Sequence, residues 1–282
     1  MAGSSAPLRR LGAELRRLRE ATGRTQTDVG AEIGRTHATL VNWELGKTKI
    51  SKSDLVCLLA ELRAPTEVRK GLEQLRQDSN QGKSQWAVYG LPDWLRPLVS
   101  FEEDAIALST FEPVIIPGLL QTEEYARATH LTAPHVVAPQ DVDRWVAARQ
   151  QRQRRLDEVN PLRLHAVIAE AALRLRVGGP EVMAAQLARL CEAAETANVT
   201  IQVLPSTRGE LAGVASNFTV LHFADPGVDP PLGYFDGPLG GYLISDEGDV
   251  AAMIKMFADL GAPALNEADS LSLLSAILAE YR

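Results

Sequence analysis

Along residues 24–50, RTQTDVGAEIGRTHATLVNWELGKTKI, apolar residues recur at the intervals of two short helices joined by a tight turn. Val29, Ile33, Leu40 and Trp43 stand three, four or seven residues apart, which gathers them on one inward face. Thr25 has the chemistry of an N-cap, residues 26–33 form the first helix, and Gly34 supplies the permissive backbone of the turn. Thr36 caps the second helix, which runs to about Glu44 before Gly46 ends it. His37, Ala38, Val41 and Asn42 are left facing outward.

The flanking pattern completes a domain. Leu8, Leu11, Leu15 and Leu18 make one stripe of an amphipathic helix over 8–22, with arginines on the other faces. Ser51 or Ser53 caps a helix carrying Leu55, Leu58, Leu59 and Leu62, and Pro65 and Thr66 open a fifth with Val68, Leu72 and Leu75. Residues 1–76 are therefore expected to form an all-α, five-helix domain. Residues 77–84, QDSNQGKS, lack apolar periodicity and read as a linker; with the aromatic arm that begins at Trp86 and Tyr89, the connection is assigned to 77–91. Leu91 and Trp94 continue the arm's apolar text.

Over residues 92–282 the period switches back and forth. Helices are predicted at 93–108, 122–132, 140–157, 180–196, 246–260 and 267–281, and strands at 110–116, 163–169, 199–204, 216–223, 231–236 and 241–244. The clearest strand is VTIQVL, in which Val199, Ile201 and Val203 alternate with Thr200 and Gln202. Strands at 216–223 and 231–236, separated by a Pro-rich loop, predict an antiparallel hairpin, and the half as a whole an α+β domain with a mostly antiparallel sheet.

Composition narrows the class. A chain of 282 residues with 45% hydrophobic and 23% charged residues is ordinary for a soluble globular protein. It has no apolar run of bilayer length and no signal-like N-terminus, so a cytoplasmic protein without a membrane partner is expected. Cys57 and Cys191 lie far apart with no His or Cys at ligand spacing, so they are expected to be buried free thiols in a reducing compartment, with no metal. The net charge of −7 is unevenly spread: residues 1–52 hold ten Lys or Arg against five acids, leaving 19 basic and 31 acidic residues beyond. A basic head that can neutralise phosphates thus precedes an acidic body that a duplex repels.

An α-helix fits the major groove, and side chains near its outward N-terminal end can reach base edges. Asn can bond an adenine edge in a bidentate way, His can meet a purine N7, and an Ala methyl can pack on a thymine methyl. A helical hairpin with no ligand is the plainer reading, but helix, glycine turn, helix and basic loop occur together here. The run THATLVNWELGKT, with Gln26 opening the preceding helix, resembles the phage-repressor or xenobiotic-response-element (XRE) type of helix-turn-helix. That resemblance implies a lambda-repressor-like fold with Gln26 against a phosphate, base reading by His37 and Ala38 with Asn42 one turn on, and phosphate contacts from Lys47 and Lys49. It also implies an ion pair between Glu44 and Arg19. Arg35, Thr36 and Val41 complete the expected DNA-binding set.

The second half carries a resemblance too. FEPVIIPGLLQTEEYARA, VGGPEVMAAQLARLCEAAETANVTIQVLPS and the last two helices are similar to the largely uncharacterised, antitoxin-like regulatory domain that follows such modules in actinobacterial regulators. The resemblance implies a small partner protein encoded nearby and regulation of the chain's own operon. Signs of an enzyme are missing from the sequence: His130, His135, His165 and His222 form no short metal-ligand motif, no GxSxG elbow occurs, and GYFDGPLGG lacks the Lys and Ser/Thr of a phosphate loop. Glu123 and Glu124 suit the first turn of a helix capped by Thr122. RQQRQRR, with Arg149, Arg152, Arg154 and Arg155, reads either as a wet helix face or as a clamp, chiefly Arg149, Arg152 and Arg155, for an acidic partner or anionic ligand. The loop PGLLQT is a candidate pocket wall.

Two stripes near the C-terminus, Val250, Met253, Phe257 and Leu260, then Leu271, Leu274, Ile277 and Leu278, are core positions and candidates for a dimer surface. The expectation is a sequence-specific, dimeric transcriptional repressor acting at a palindromic operator without catalysis or cofactor, its domain over 92–282 dimerising and receiving a small partner protein or ligand. An antitoxin-like protein that mainly sequesters a small toxic partner, with DNA binding secondary, is the alternative.

Overall fold

Side-chain caps and glycine turns set the helix ends of the N-terminal region. The computed structural model describes residues 6–80, 85–132, 137–208, 216–227, 229–237 and 240–281. His135, part of the linker (81–84) and the middle of the glycine-rich turn (238–239) lie outside the described residues. The chain divides into two compact units, Met1–Ala87 with Ala224–Pro230, and Val88–Phe223 with Pro231–Arg282.

The first unit holds α1 (Ala6–Ala21), α2 (Gln26–Glu32), α3 (His37–Glu44), α4 (Lys52–Glu61) and α5 (Thr66–Asn80). Thr25 and Asp28 form a reciprocal capping box at α2, while Thr36 and Ser51 cap α3 and α4 by accepting the N–H groups of Thr39 and Asp54. Leu11 and Leu15 of α1, Val29 of α2, Leu40 and Trp43 of α3, Leu55, Leu58 and Leu59 of α4 and Leu62 at its C-cap make one core, closed by Leu72 of α5. The polar text expected to be linker starts as helix: α5 continues through 77–80, tied by Arg76 and Gln77 to Glu73 and by Gln74 to Asp78. Residues 85–89 form a short 3-10 helix in which Trp86 is buried. Cys57 is exposed, not buried as expected, because the inward stripe of α4 is filled by its neighbours Leu58 and Leu59.

The second unit runs α6 (Arg96–Asp104), β1 (Ala107–Glu112), α7 (Glu123–Leu131), α8 (Val142–Gln153), β2 (Arg163–Ala169), α9 (Glu170–Arg174), α10 (Pro180–Ala194), β3 (Val199–Leu204), β4 (Phe218–His222), β5 (Leu232–Gly237), β6 (Gly240–Ile244), α11 (Glu247–Gly261) and α12 (Glu267–Ala279). The six strands form one mixed sheet in the order β3-β2-β1-β4-β5-β6. β1 pairs parallel with β2, and β2 with β3, whereas β1-β4, β4-β5 and β5-β6 are antiparallel, so antiparallel pairing predominates. The parallel strands are joined by helical crossovers, as parallel pairing requires; the antiparallel half includes the anticipated hairpin.

Alternation divides this sheet into two faces. Phe111, Val167 and Val220 point to the face covered by Val250, Phe257 and Leu260 of α11. Leu108 and Thr110 of β1 therefore point to the other face, with Thr219 of β4 and Tyr234 of β5 in register beside Thr110. α10 and α12 pack together, and the Ser270 hydroxyl of α12 accepts the N–H of Val203 in β3. Three segments depart from expectation, α9 being a short helix not predicted at all. The helix expected over 93–108 ends at Asp104 because Ile106 is drawn into the sheet, its N–H donating to the His222 carbonyl and its own carbonyl accepting from Arg163. The strand expected to reach 116 stops at Glu112, just before Pro113, which has no N–H to give a ladder.

Candidate nucleic-acid interface

The second helix of the helix-turn-helix is positioned from both ends. At the turn, Gly34 adopts φ +66, and the N–H groups of Gly34 and Arg35 return to the carbonyls of Ala31 and Gly30. This is the left-handed stop that a residue without Cβ adopts at no cost. At the far end of α3, Gly46 and Lys47 close on the carbonyls of Trp43 and Asn42 in the same way.

Between the ends, exposure follows the helical period. Leu40, Trp43 and Glu44 are buried; His37 and Ala38 are exposed, Val41 and Asn42 half-buried, and Leu45 is 47% exposed. The outward face is thus His37, Ala38, Val41, Asn42 and Leu45. Leu45 was missed at the sequence level, although it stands four residues after Val41 and so continues that face. Lys47 and Lys49 are exposed in the loop that follows.

Beneath this face lies a buried charge network. The Arg19 guanidinium of α1 grips the Glu44 carboxylate in a bidentate pair, Nε to Oε1 at 2.7 Å and Nη2 to Oε2 at 2.9 Å, with the side chains 11% and 4% exposed. The bond to Glu44 raises the Arg19 pKa against the opposing effect of burial. Gln26 of α2 donates Nε2–H to Glu44 Oε2 at 2.8 Å. One carboxylate on α3 therefore ties down α1 and α2 together. Gln26, expected against a phosphate, has committed one amide proton to this tie.

The remaining expected residues fall as follows. Thr36 caps α3 and also bonds the Thr39 hydroxyl. Arg35 donates from Nε and Nη2 to Asp54 Oδ1 at 3.0 and 2.8 Å, which pins it to the start of α4.

The arginine run over 149–155 is not a wet helix face. Trp145, Arg149 and Arg152 stand four and three residues apart on α8, so both arginines follow the inward stripe of a buried tryptophan. Arg152 is bidentate to Glu102 at 2.8 Å, Arg149 bonds Gln121, and Arg155 bonds Glu158 and the Ala105 carbonyl. Arg154 alone of the four is exposed. Glu123 and Glu124 sit in the first turn of α7 behind the Thr122 cap. Among the described residues no group of His, Cys, Asp and Glu is arranged to hold a metal, and no helix is long and apolar enough to cross a membrane.

Two family models match the chain. Residues 10–85 match the family model described as "Helix-turn-helix domain", and residues 95–276 match "Domain of unknown function (DUF5753)". No curated protein and no solved structure matches the chain. With nearly two thirds of its length covered by the second match, the chain belongs to the DUF5753 family, its domain of unknown function preceded by a helix-turn-helix domain.

Proposed function

We propose that the protein is a sequence-specific, dimeric DNA-binding repressor, with α3 in the major groove and the C-terminal domain receiving the signal that sets operator affinity. The observation that carries this reading is the outward face of α3, exposed at His37 and Ala38 and backed by the buried Arg19–Glu44–Gln26 network. A reader helix must keep its orientation to within a fraction of a base-pair step, and a carboxylate shared by three helices supplies that rigidity. Asn42 presents an amide to adenine, and Ala38 and Leu45 offer apolar contacts to thymine methyls. Lys47 and Lys49 contact the flanking phosphates. Pairing two chains through the C-terminal domain places two heads on a palindrome about one helical turn apart; Ile254 and Met256 of α11, 39% and 41% exposed, are apolar positions suited to that contact.

Selection of bound fragments from genomic DNA tests the reading. One enriched palindromic motif is expected. Asn42→Ala should relax preference at one position per half-site by about 1–3 kcal/mol, whereas Lys47→Ala should weaken all sequences alike and lower the salt slope by about one. Equal binding to all duplex fragments at low salt would refute it.

A further inference from the structure

On the sheet face opposite α11 lies a cavity of about 610 Å³. Its floor is Leu108, Thr110 and Glu112 of β1 with Tyr234 and Asp236 of β5, and its walls come from α6, α7 and α8. The PGLLQT loop contributes Gln121. The volume is that of a site for a drug-sized molecule, and Trp94, Leu98, Leu119 and Val137 give it an apolar lining.

Five residues that line it carry enclosed polar atoms without partners. Trp145 Nε1, Arg149 Nε, His130 Nε2, Glu112 Oε2 and Tyr234 Oη are all buried, and none has a hydrogen-bond partner among the described residues. Each such group costs free energy comparable to a lost hydrogen bond, so five around one cavity mark a recognition site more than a packing defect. Trp145 also stands edge-on to Trp94 and to His130, with ring centroids at 6.4 and 5.6 Å, which fixes the indole.

The charges decide what fits. Arg152 is neutralised by Glu102, whereas Arg149 is bonded to Gln121 and feels the charge of Asp236 without pairing with it; Asp236 Oδ1 accepts from Asn217. Burial, then the charge of Asp236, pushes the Glu112 carboxyl up to about 8, so at neutral pH it is a protonated donor. Burial and the charge of Arg149 hold His130 down near 4, hence neutral. The lining is then balanced in charge and richer in donors than in acceptors: the indole N–H, the guanidinium N–H, the Tyr234 hydroxyl and the Glu112 carboxylic acid.

We infer that this cavity binds an uncharged, ring-bearing small molecule with several oxygen acceptors, such as a cyclic ketone, lactone or aryl ether. A carboxylate would be repelled by Asp236 and a free amine by Arg149, both of which line the cavity. The inference rests on the reading of the C-terminal domain as the receiver of a signal, but it does not require that DNA be bound.

Three matched probes test it by calorimetric titration of the full chain near neutral pH: a methoxyflavone, its anionic carboxymethoxy analogue and its cationic aminoethoxy analogue. The neutral probe should bind best. Tyr234→Phe and Trp145→Phe should each weaken it about two- to tenfold while the melting temperature stays close to that of the parent. Glu112→Gln, permanently neutral, should keep its affinity. Preference for either charged analogue, unchanged affinity in both Tyr234→Phe and Trp145→Phe, or no binding by any of the three at about 1 mM would overturn the inference. Because no DNA is present, failure here is separable from failure of the base-reading assignment, which the genomic selection alone decides.

Discussion

Single residues carry the strongest commitments in this fold, and two carboxylates show opposite kinds. Glu44 is buried and fully engaged by Arg19 and Gln26. Truncating it leaves the Arg19 guanidinium enclosed without its counter-charge, so Glu44→Ala should cost about 3 kcal/mol in denaturant unfolding monitored on the N-terminal helices. Glu112 is half-buried with its Oε2 enclosed and without such a partner, and its pKa of about 8 lies above the ordinary 4.5. The folded state therefore keeps a proton that the unfolded chain releases, and stability falls as pH rises through that window. His130, held near 4 against 6.5, acts in the reverse sense below pH 6.5, so the two largely offset there and the loss from Glu112 shows between about pH 6.5 and 8. Melting curves across that range should decline for the parent and flatten for Glu112→Gln; parallel curves would refute the assignment. The Arg19–Glu44 pair was legible through family resemblance. The role of Glu112 was not, since only the order of distant strands brings Asp236 of β5 to the same cavity.

At the scale of elements, caps and glycines made the helix-turn-helix readable: Thr25, Gly34, Thr36 and Gly46 each carry local chemistry that fixes a boundary. Gly12 was not readable as special. A Cβ there would lie 2.5 Å from the Trp43 carbonyl oxygen and 2.6 Å from that of Glu44, so its bare backbone is what lets α1 cross the end of α3. Ala is the better helix former, yet Gly12→Ala should be destabilising by about 1–3 kcal/mol, because two backbone carbonyls cannot step aside. A gain in melting temperature would contradict the close approach. Elsewhere local text and distant context diverged. Ile106 lies in helix-like sequence but is claimed by the sheet, and α9, only five residues long, is too short to show a period. The charge of the α8 arginines is compatible with a wet face or a clamp, and their spacing from Trp145 is what turns Arg149 and Arg152 inward.

For the whole molecule, the basic head and acidic body make a testable pair with the proposed dimer. Light scattering at about micromolar concentration should report twice the chain mass, and a monomer throughout would remove the basis for a palindromic operator. Domain class and strand inventory could be read from periodicity, because each strand is long enough to alternate. Strand order could not, since it depends on which segments meet after collapse.

That order has a temporal consequence. β1 and β4 are neighbours in space though Phe111 pairs with Phe218, so the sheet's centre can close only after the intervening chain has been gathered in. The apolar core of the helical head is assembled from residues within 11–75. Refolding should thus be biphasic, a rapid gain of helix signal preceding slow maturation of the sheet, and on the ribosome a finished DNA-reading end would emerge before the rest has a central strand pair.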